Sequence, residues 1–107
     1  MVAQSDAKKS AISFVEACIQ NGIPVKEAIL FGSYAKGNAD SNSDIDIALI
    51  ADSFGKNIIQ NVKQTALINY KFADIEVHHF HPDELLLDDP FINEIKRTGI
   101  EIYPWKA

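Results

Sequence analysis

Two carboxylates, Asp44 and Asp46, stand two residues apart in Ser43-Asp44-Ile45-Asp46-Ile47-Ala48-Leu49-Ile50, a run that otherwise reads as a buried strand. Side chains at i and i+2 of a strand share a face, so the pair is expected to project together while Ile45 and Ile47 face the other way. Carboxylates held side by side repel unless a cation or a proton lies between them. Oxygen donors at this spacing suit Mg2+ or Mn2+. Upstream, Leu30-Phe31-Gly32-Ser33-Tyr34-Ala35-Lys36-Gly37 reads as a strand end, a glycine–serine turn and a short helical turn. Such a turn offers free backbone N–H groups and the positive end of a helix dipole, a combination that binds phosphate. A metal site and a phosphate cradle joined by one loop point to nucleoside triphosphate chemistry. Ser-Asp before a strand is also ordinary turn chemistry, and Asp44 by itself could cap a turn. Asp46 resists that explanation, because an unpaired carboxylate inside an apolar strand costs several kcal/mol.

The elements that must position these residues follow from hydrophobic spacing. Ala7, Ala11, Phe14, Val15, Cys18 and Ile19 recur at three- and four-residue steps, predicting a helix from Ser5 or Asp6 to about Asn21, with Gly22 and Pro24 to end it. Val25 to Phe31 is a first strand, apolar on both faces at its end. Gly37 to Ser43 is loop by composition, and Asp44 to Ile50 is the second strand. Ile58, Ile59, Val62, Ala66, Leu67 and Tyr70 follow helical spacing within Lys56 to Tyr70. Phe72 to Phe80 reads as a third strand, with Asp74, Glu76 and His78 on one face and Ala73, Ile75, Val77 and His79 on the other. Pro82 opens a helix through Leu85, Leu86 and Leu87, Asp88-Asp89-Pro90 breaks it, and Phe91 to Thr98 forms a last helix in which Ile92, Ile95 and Lys96 pack or snorkel. Gly99 ends that helix, and Ile100 to Tyr103 is a final strand. The expected fold is α/β (α+β): a mixed sheet of about four strands with helices mainly on one face.

Bulk properties narrow the function. The 107 residues suffice for one domain, 1–107, with one core. A net charge of -5 argues against broad binding to nucleic acid, which needs a basic surface, yet admits a nucleotide that arrives with its metal. No apolar run approaches the roughly 20 residues that span a bilayer, and the first residues do not read as a signal peptide. The single cysteine, Cys18, lies on the buried stripe and reads as a small core residue in a reduced, cytoplasmic setting.

Leu30-Phe31-Gly32-Ser33, ten residues, then Asp44-Ile45-Asp46-Ile47 resembles the signature of the DNA polymerase β-type nucleotidyltransferase superfamily. The fuller string Gly32-Ser33-Tyr34-Ala35-Lys36-Gly37 with Ser43-Asp44-Ile45-Asp46 is similar to its minimal nucleotidyltransferase branch, where the pattern is close to GSxARG followed by SDxD. Lys36 stands where many relatives carry arginine, which keeps a charge at the phosphates and loses a bidentate grip. The resemblance implies a third carboxylate on a neighbouring strand. Asp74 and Glu76 are both candidates, and Glu76 is favoured because Ile75-Glu76-Val77-His78-His79-Phe80 resembles the relatives at that point.

The implied site then has Asp44, Asp46 and Glu76 holding two divalent ions, Mg2+ or Mn2+, about 3.5–4 Å apart. Gly32 and Ser33 would hold the phosphates of ATP, with Ser43 and Lys36 assisting, and Glu76 would take the acceptor's proton. The implied partner is a helical HEPN toxin, modified with AMP on a tyrosine, which makes the chain an antitoxin. A rival reading is an antitoxin that neutralises by binding alone, and a weaker one is transfer to a small molecule such as an aminoglycoside, whose enzymes usually carry an added helical domain. Homodimerisation is compatible with either. His78, His79 and His81 invite a zinc site, but alternation sends the first two to opposite faces, and zinc needs convergent ligands; His78, on the acidic face, is placed to contact the site. Tyr34 either stacks on a base or packs, and Trp105 is read as a lid or an interface residue.

Overall fold

The computed structural model describes residues 4–40 and 43–104. Trp105 lies outside them. In chain order the elements are α1 (Gln4–Gln20), β1 (Val25–Phe31), α2 (Ser33–Lys36), β2 (Ile45–Ala51), α3 (Ile58–Tyr70), β3 (Ile75–Phe80), a 3-10 turn (Pro82–Leu86), α4 (Pro90–Thr98) and β4 (Ile100–Tyr103). The four strands form one mixed sheet in the order β3-β2-β1-β4. β1 runs antiparallel to β2 and β4, and β2 runs parallel to β3. The mixed α/β architecture matches the expectation.

Alternation sorts the strand residues onto two layers. Ala28, Leu30, Ile45, Ile47, Leu49, Ile75 and Ile102 face α1, whose Ala7, Ala11, Phe14, Val15 and Cys18 are buried against them. Ile29, Phe31, Ala48, Ile50 and Phe80 face the other way and are covered by Ile92 and Ile95 of α4, with Leu85. The two long helices thus share one face, and a shorter helix closes part of the second. α4 begins as its sequence demands: Asp89 caps it by accepting from the Phe91 and Ile92 N–H groups, and Pro90 occupies the first turn. The leucine segment after Pro82 is a single 3-10 turn rather than the expected helix; His81 and Glu84 form a reciprocal capping box there, and the turn stops at Leu87, whose backbone is extended.

Two strands start later than predicted. β2 begins at Ile45 rather than Asp44, and β3 at Ile75 rather than Phe72. The Ile45 N–H donates to the Asp74 carbonyl at 2.8 Å, so both strands enter the sheet side by side at the same level.

α3 carries the largest surprise. Its spacing predicts a helix correctly, but the apolar stripe faces outward: Ile58, Ile59, Leu67 and Tyr70 are 76, 68, 87 and 85% exposed. The buried residues are Asn61, Thr65 and Ile68. Asn61 brackets Gly55, accepting from its N–H at 2.9 Å and donating to its carbonyl at 2.8 Å. The Thr65 hydroxyl meets His79 Nε2 at 2.8 Å. Asn69 donates to the carbonyls of Phe72 and Ile75. Satisfied polar groups, together with the buried Ile68, fix the rotation of this helix.

Two groups give the fold opposing pH responses. Burial, with His78 nearby, pushes His79 down to about 4 from its ordinary 6.5. The unfolded chain therefore takes up a proton that the folded one refuses, so stability present above pH 6.5 is lost as the pH falls toward 4. Burial and hydrogen bonding to Glu101 push Glu27 up to about 7 from 4.5. The folded chain keeps a proton that the unfolded one releases, so this contribution is present below pH 4.5 and lost as the pH rises through 7. The slopes oppose one another between pH 4.5 and 6.5. Wild type is expected to melt at nearly constant temperature across that window. Glu27→Gln removes one slope and uncovers the other, and its melting temperature should fall by several degrees on acidification, at about 4–8 °C per kcal/mol. Parallel wild-type and variant profiles by circular dichroism would refute the assignment.

Candidate active site

The sheet builds the site where the end of β1 meets the starts of β2 and β3. In register, Phe31 of β1 lies opposite Asp46 of β2, and Asp46 lies opposite Glu76 of β3. These three side chains form a row on the α4 face of the sheet, and His78 follows Glu76 two residues on. Asp46, Glu76 and His78 each bring a ligand atom within 4.8 Å of the others. His78 Nε2 lies 3.4 Å from Asp46 Oδ1 and 3.8 Å from Glu76 Oε1. A carboxylate only accepts, so in the hydrogen bond to Asp46 the imidazole Nε2 carries the proton. The His78 ring is fixed edge-on against Phe31, centroids 4.9 Å apart, and tilted against Phe91 at 5.8 Å. Two carboxylates this close fit a divalent cation, their oxygens suiting Mg2+ or Mn2+, and the His78 Nε2–H stands beside them as a donor to Asp46.

The glycine turn lies directly against this cluster. Gly32 has φ +76° and ψ -152°, a conformation open essentially to glycine alone. A Cβ on Gly32 would run into Asp46 Oδ2. The turn and the carboxylate are therefore packed as one unit. α2 is a single turn of four residues, too short for much of a dipole, so its contribution is its first N–H groups, which no side chain caps. The turn is anchored from α1 by Gln4, whose side-chain amide donates to the Tyr34 carbonyl at 2.8 Å.

The other sequence candidates take distinct places. Asp44 is exposed and one residue outside β2, and it is not in the three-residue group. Asp74 is exposed and also outside its strand, so of the two acids offered as third carboxylate it is Glu76 that stands beside Asp46. Ser43 folds back on the loop: its N–H donates to the Asp40 carbonyl, and its Oγ accepts from the Asp40 N–H at 3.0 Å. Lys36 Nζ lies 3.1 Å from Glu94 of α4, whose carboxyl is held below its ordinary range by Arg97 and Lys36. That pair is exposed on both sides and worth little, so a phosphate can displace it.

Tyr34 is 3% exposed and packs in the α1 layer, which leaves it unable to stack on a base. The three histidines diverge: His78 joins the acids, His79 bonds Thr65 on the opposite face, and His81 caps the 3-10 turn. Burial pushes the Cys18 thiol up to about 12, as befits a core residue. The aromatic wall of Phe31 and Phe91 and the Glu94 tether were not legible in the sequence, since each depends on α4 folding back over the sheet.

A mixed sheet with a glycine–serine turn beside an acid on each of two parallel strands defines a nucleotidyltransferase-type domain. The polymerase beta nucleotidyltransferase family matches residues 14–106, and the chain belongs to that family. No curated protein matches it significantly. Among solved structures, a protein from Sulfolobus solfataricus assigned as a nucleotidyltransferase superposes with a TM-score of 0.71 at 19% identity, over 92% of this chain and 80% of that one. A toxin–antitoxin complex with AMP-PNP matches with a TM-score of 0.59 at 20% identity, over 84% and 70%. A mutant of the toxin–antitoxin pair MntA–HpeT matches with a TM-score of 0.55 over the same shares. The structural likenesses bear out the fold, and the family match bears out the resemblance carried by Gly32-Ser33 and Asp44-Ile45-Asp46. Among the described residues no helix is long and apolar enough to cross a membrane.

Proposed function

We propose that this chain, as one minimal nucleotidyltransferase domain of the cytoplasm, transfers AMP from ATP to a hydroxyl of a partner protein, a tyrosine of a HEPN-type helical toxin, and so acts as its antitoxin. The observation that carries the reading is the packing of the Gly32 turn against Asp46, with Glu76 on the adjacent strand. Phosphate donors and metal-binding acids meet there at one point. The structural likeness to toxin–antitoxin complexes, one of them with AMP-PNP, supports the partner and nucleotide.

In this reading Asp46 and Glu76, with Asp44 at the strand entrance, would hold the divalent cation, Mg2+ or Mn2+. The cation supplies neutralisation of the triphosphate and of the charge that develops during displacement. The Gly32 and Ser33 N–H groups, with the Ser33 hydroxyl, hold the β- and γ-phosphates. Lys36 leaves Glu94 for a phosphate oxygen, and Ser43 adds its hydroxyl. The acceptor oxygen forms a bond to the α-phosphorus as the bond from that phosphorus to the bridging oxygen breaks. Pyrophosphate leaves, and Glu76, 56% exposed on the open side, takes the acceptor's proton.

The test is mass spectrometry of a HEPN toxin incubated with the chain, ATP and Mg2+. One or more AMP additions on a tyrosine are expected, and none with the Asp44→Asn/Asp46→Asn double variant. If wild type and double variant neutralise the toxin equally without modifying it, neutralisation rests on binding alone and the transferase reading fails.

A further inference from the structure

The outward face of α3 has no role in the transfer chemistry, which lies on the opposite side of the sheet. Ile58, Ile59, Leu67 and Tyr70 lie mostly in solvent, and Val62 nearly half so. Apolar residues gathered on one exposed face, as opposed to scattered singly, mark an interaction surface. Packing did not require this arrangement, because the buried side of α3 is held by Asn61, Thr65 and Asn69. Beside the stripe, α1 and α3 enclose a cleft of about 380 Å3 lined by Ala17, Leu67, Tyr70 and Lys71. That space admits a large apolar side chain.

Charge tells what kind of surface fits. Residues 53–73 carry Lys56, Lys63 and Lys71 and no acidic residue, in a chain of net charge -5. All three lysines are exposed, and none forms an ion pair among the described residues. A second copy would set one basic face against another across a symmetric interface. A lipid surface is disfavoured by shape, since the cleft beside the stripe is concave.

We propose that the α3 face and the α1–α3 cleft are a docking surface for an amphipathic helix of a partner protein, apolar along one side and acidic along its flanks. The apolar side covers Ile59, Val62 and Tyr70, one large residue enters the cleft, and flanking acids meet Lys63 and Lys71. This is helix-in-groove recognition, with the lysines setting the choice of partner. It stands independently of the transferase reading.

The probe is a synthetic peptide of about 15–18 residues with leucines at helical i, i+3, i+4 and i+7 spacing and glutamates elsewhere. It is titrated into the isotope-labelled full chain. Chemical shifts are expected to move in residues 58–72 and at Ala17 and Asn21, with binding weakened severalfold by added salt. A lysine version of the peptide should bind at least about tenfold more weakly. The Val62→Glu/Leu67→Glu variant should lose the acidic peptide while keeping its circular dichroism spectrum, since both residues face solvent. The proposal is overturned if the two peptides bind alike, if the shifts move elsewhere, if the chain partitions onto phosphatidylglycerol vesicles through α3, or if α3 pairs with a second copy in light scattering.

Discussion

Asp46→Asn is expected to abolish nucleotide transfer while leaving the protein at least as stable as wild type. The two effects come from one geometry. Asp46 shares its face and register with Glu76, and both face the same imidazole. In the reading proposed above, Asp46 is a direct metal ligand. Loss of partners one shell further out typically weakens metal binding or activity about 10–100-fold, so loss of this carboxylate should exceed about 100-fold. Without a cation, by contrast, only the long His78 hydrogen bond favours Asp46 beside Glu76, and removing one charge relieves the repulsion between the two carboxylates. The asparagine still accepts from His78. The measurements are AMP transfer, Mn2+-induced broadening of the signals of residues 44–46 and 76–78, and melting temperature. A variant that keeps transfer within severalfold of wild type would remove Asp46 from the site. Asp44→Asn should lose transfer as well, but its apo melting temperature and the His78 resonances should not change, because Asp44 stands outside the cluster.

Gly32→Ala should both destabilise the fold and disable transfer. Its backbone conformation costs a residue with a Cβ about 1–3 kcal/mol, a fall of roughly 4–8 °C in melting temperature per kcal/mol. The added Cβ also meets Asp46 Oδ2, so the turn or the carboxylate must move. Either displacement separates the phosphate donors from the metal ligands. Gly22 provides the control: its φ is +88°, and a Cβ there meets nothing within 4 Å. Gly22→Ala should lose comparable stability and keep transfer. If Gly32→Ala transfers as well as Gly22→Ala at a temperature where both are folded, close approach at Gly32 has no part in the activity.

The sequence by itself determined the strand–turn–strand core of this protein. The spacing from Gly32-Ser33 to Asp44-Ile45-Asp46 is local, and the residue types force their own conformations: a glycine at positive φ, a polar loop, and an apolar strand interrupted by an acid. β1 was legible to the residue because Pro24 and Gly32 bound a run whose second half, Ala28 to Phe31, is continuously apolar. Glu76 was offered with Asp74 because alternation puts both on one face, and was favoured only on family resemblance; the parallel register sets Glu76, not Asp74, beside Asp46. Register is a property of two strands and is not written in either. The rotation of α3 was illegible for a related reason. Its apolar positions announce a helix, but which side turns inward was decided by Gly55 and His79, distant groups that needed Asn61 and Thr65 as partners. The tether of Lys36 to Glu94 and the Phe31–His78–Phe91 contacts likewise exist only once α4 covers the sheet. Short-range sterics and patterning gave the elements and the donor side of the chemistry. Strand register decided which acids meet, and pairing of polar groups across the fold decided which face of α3 turned outward.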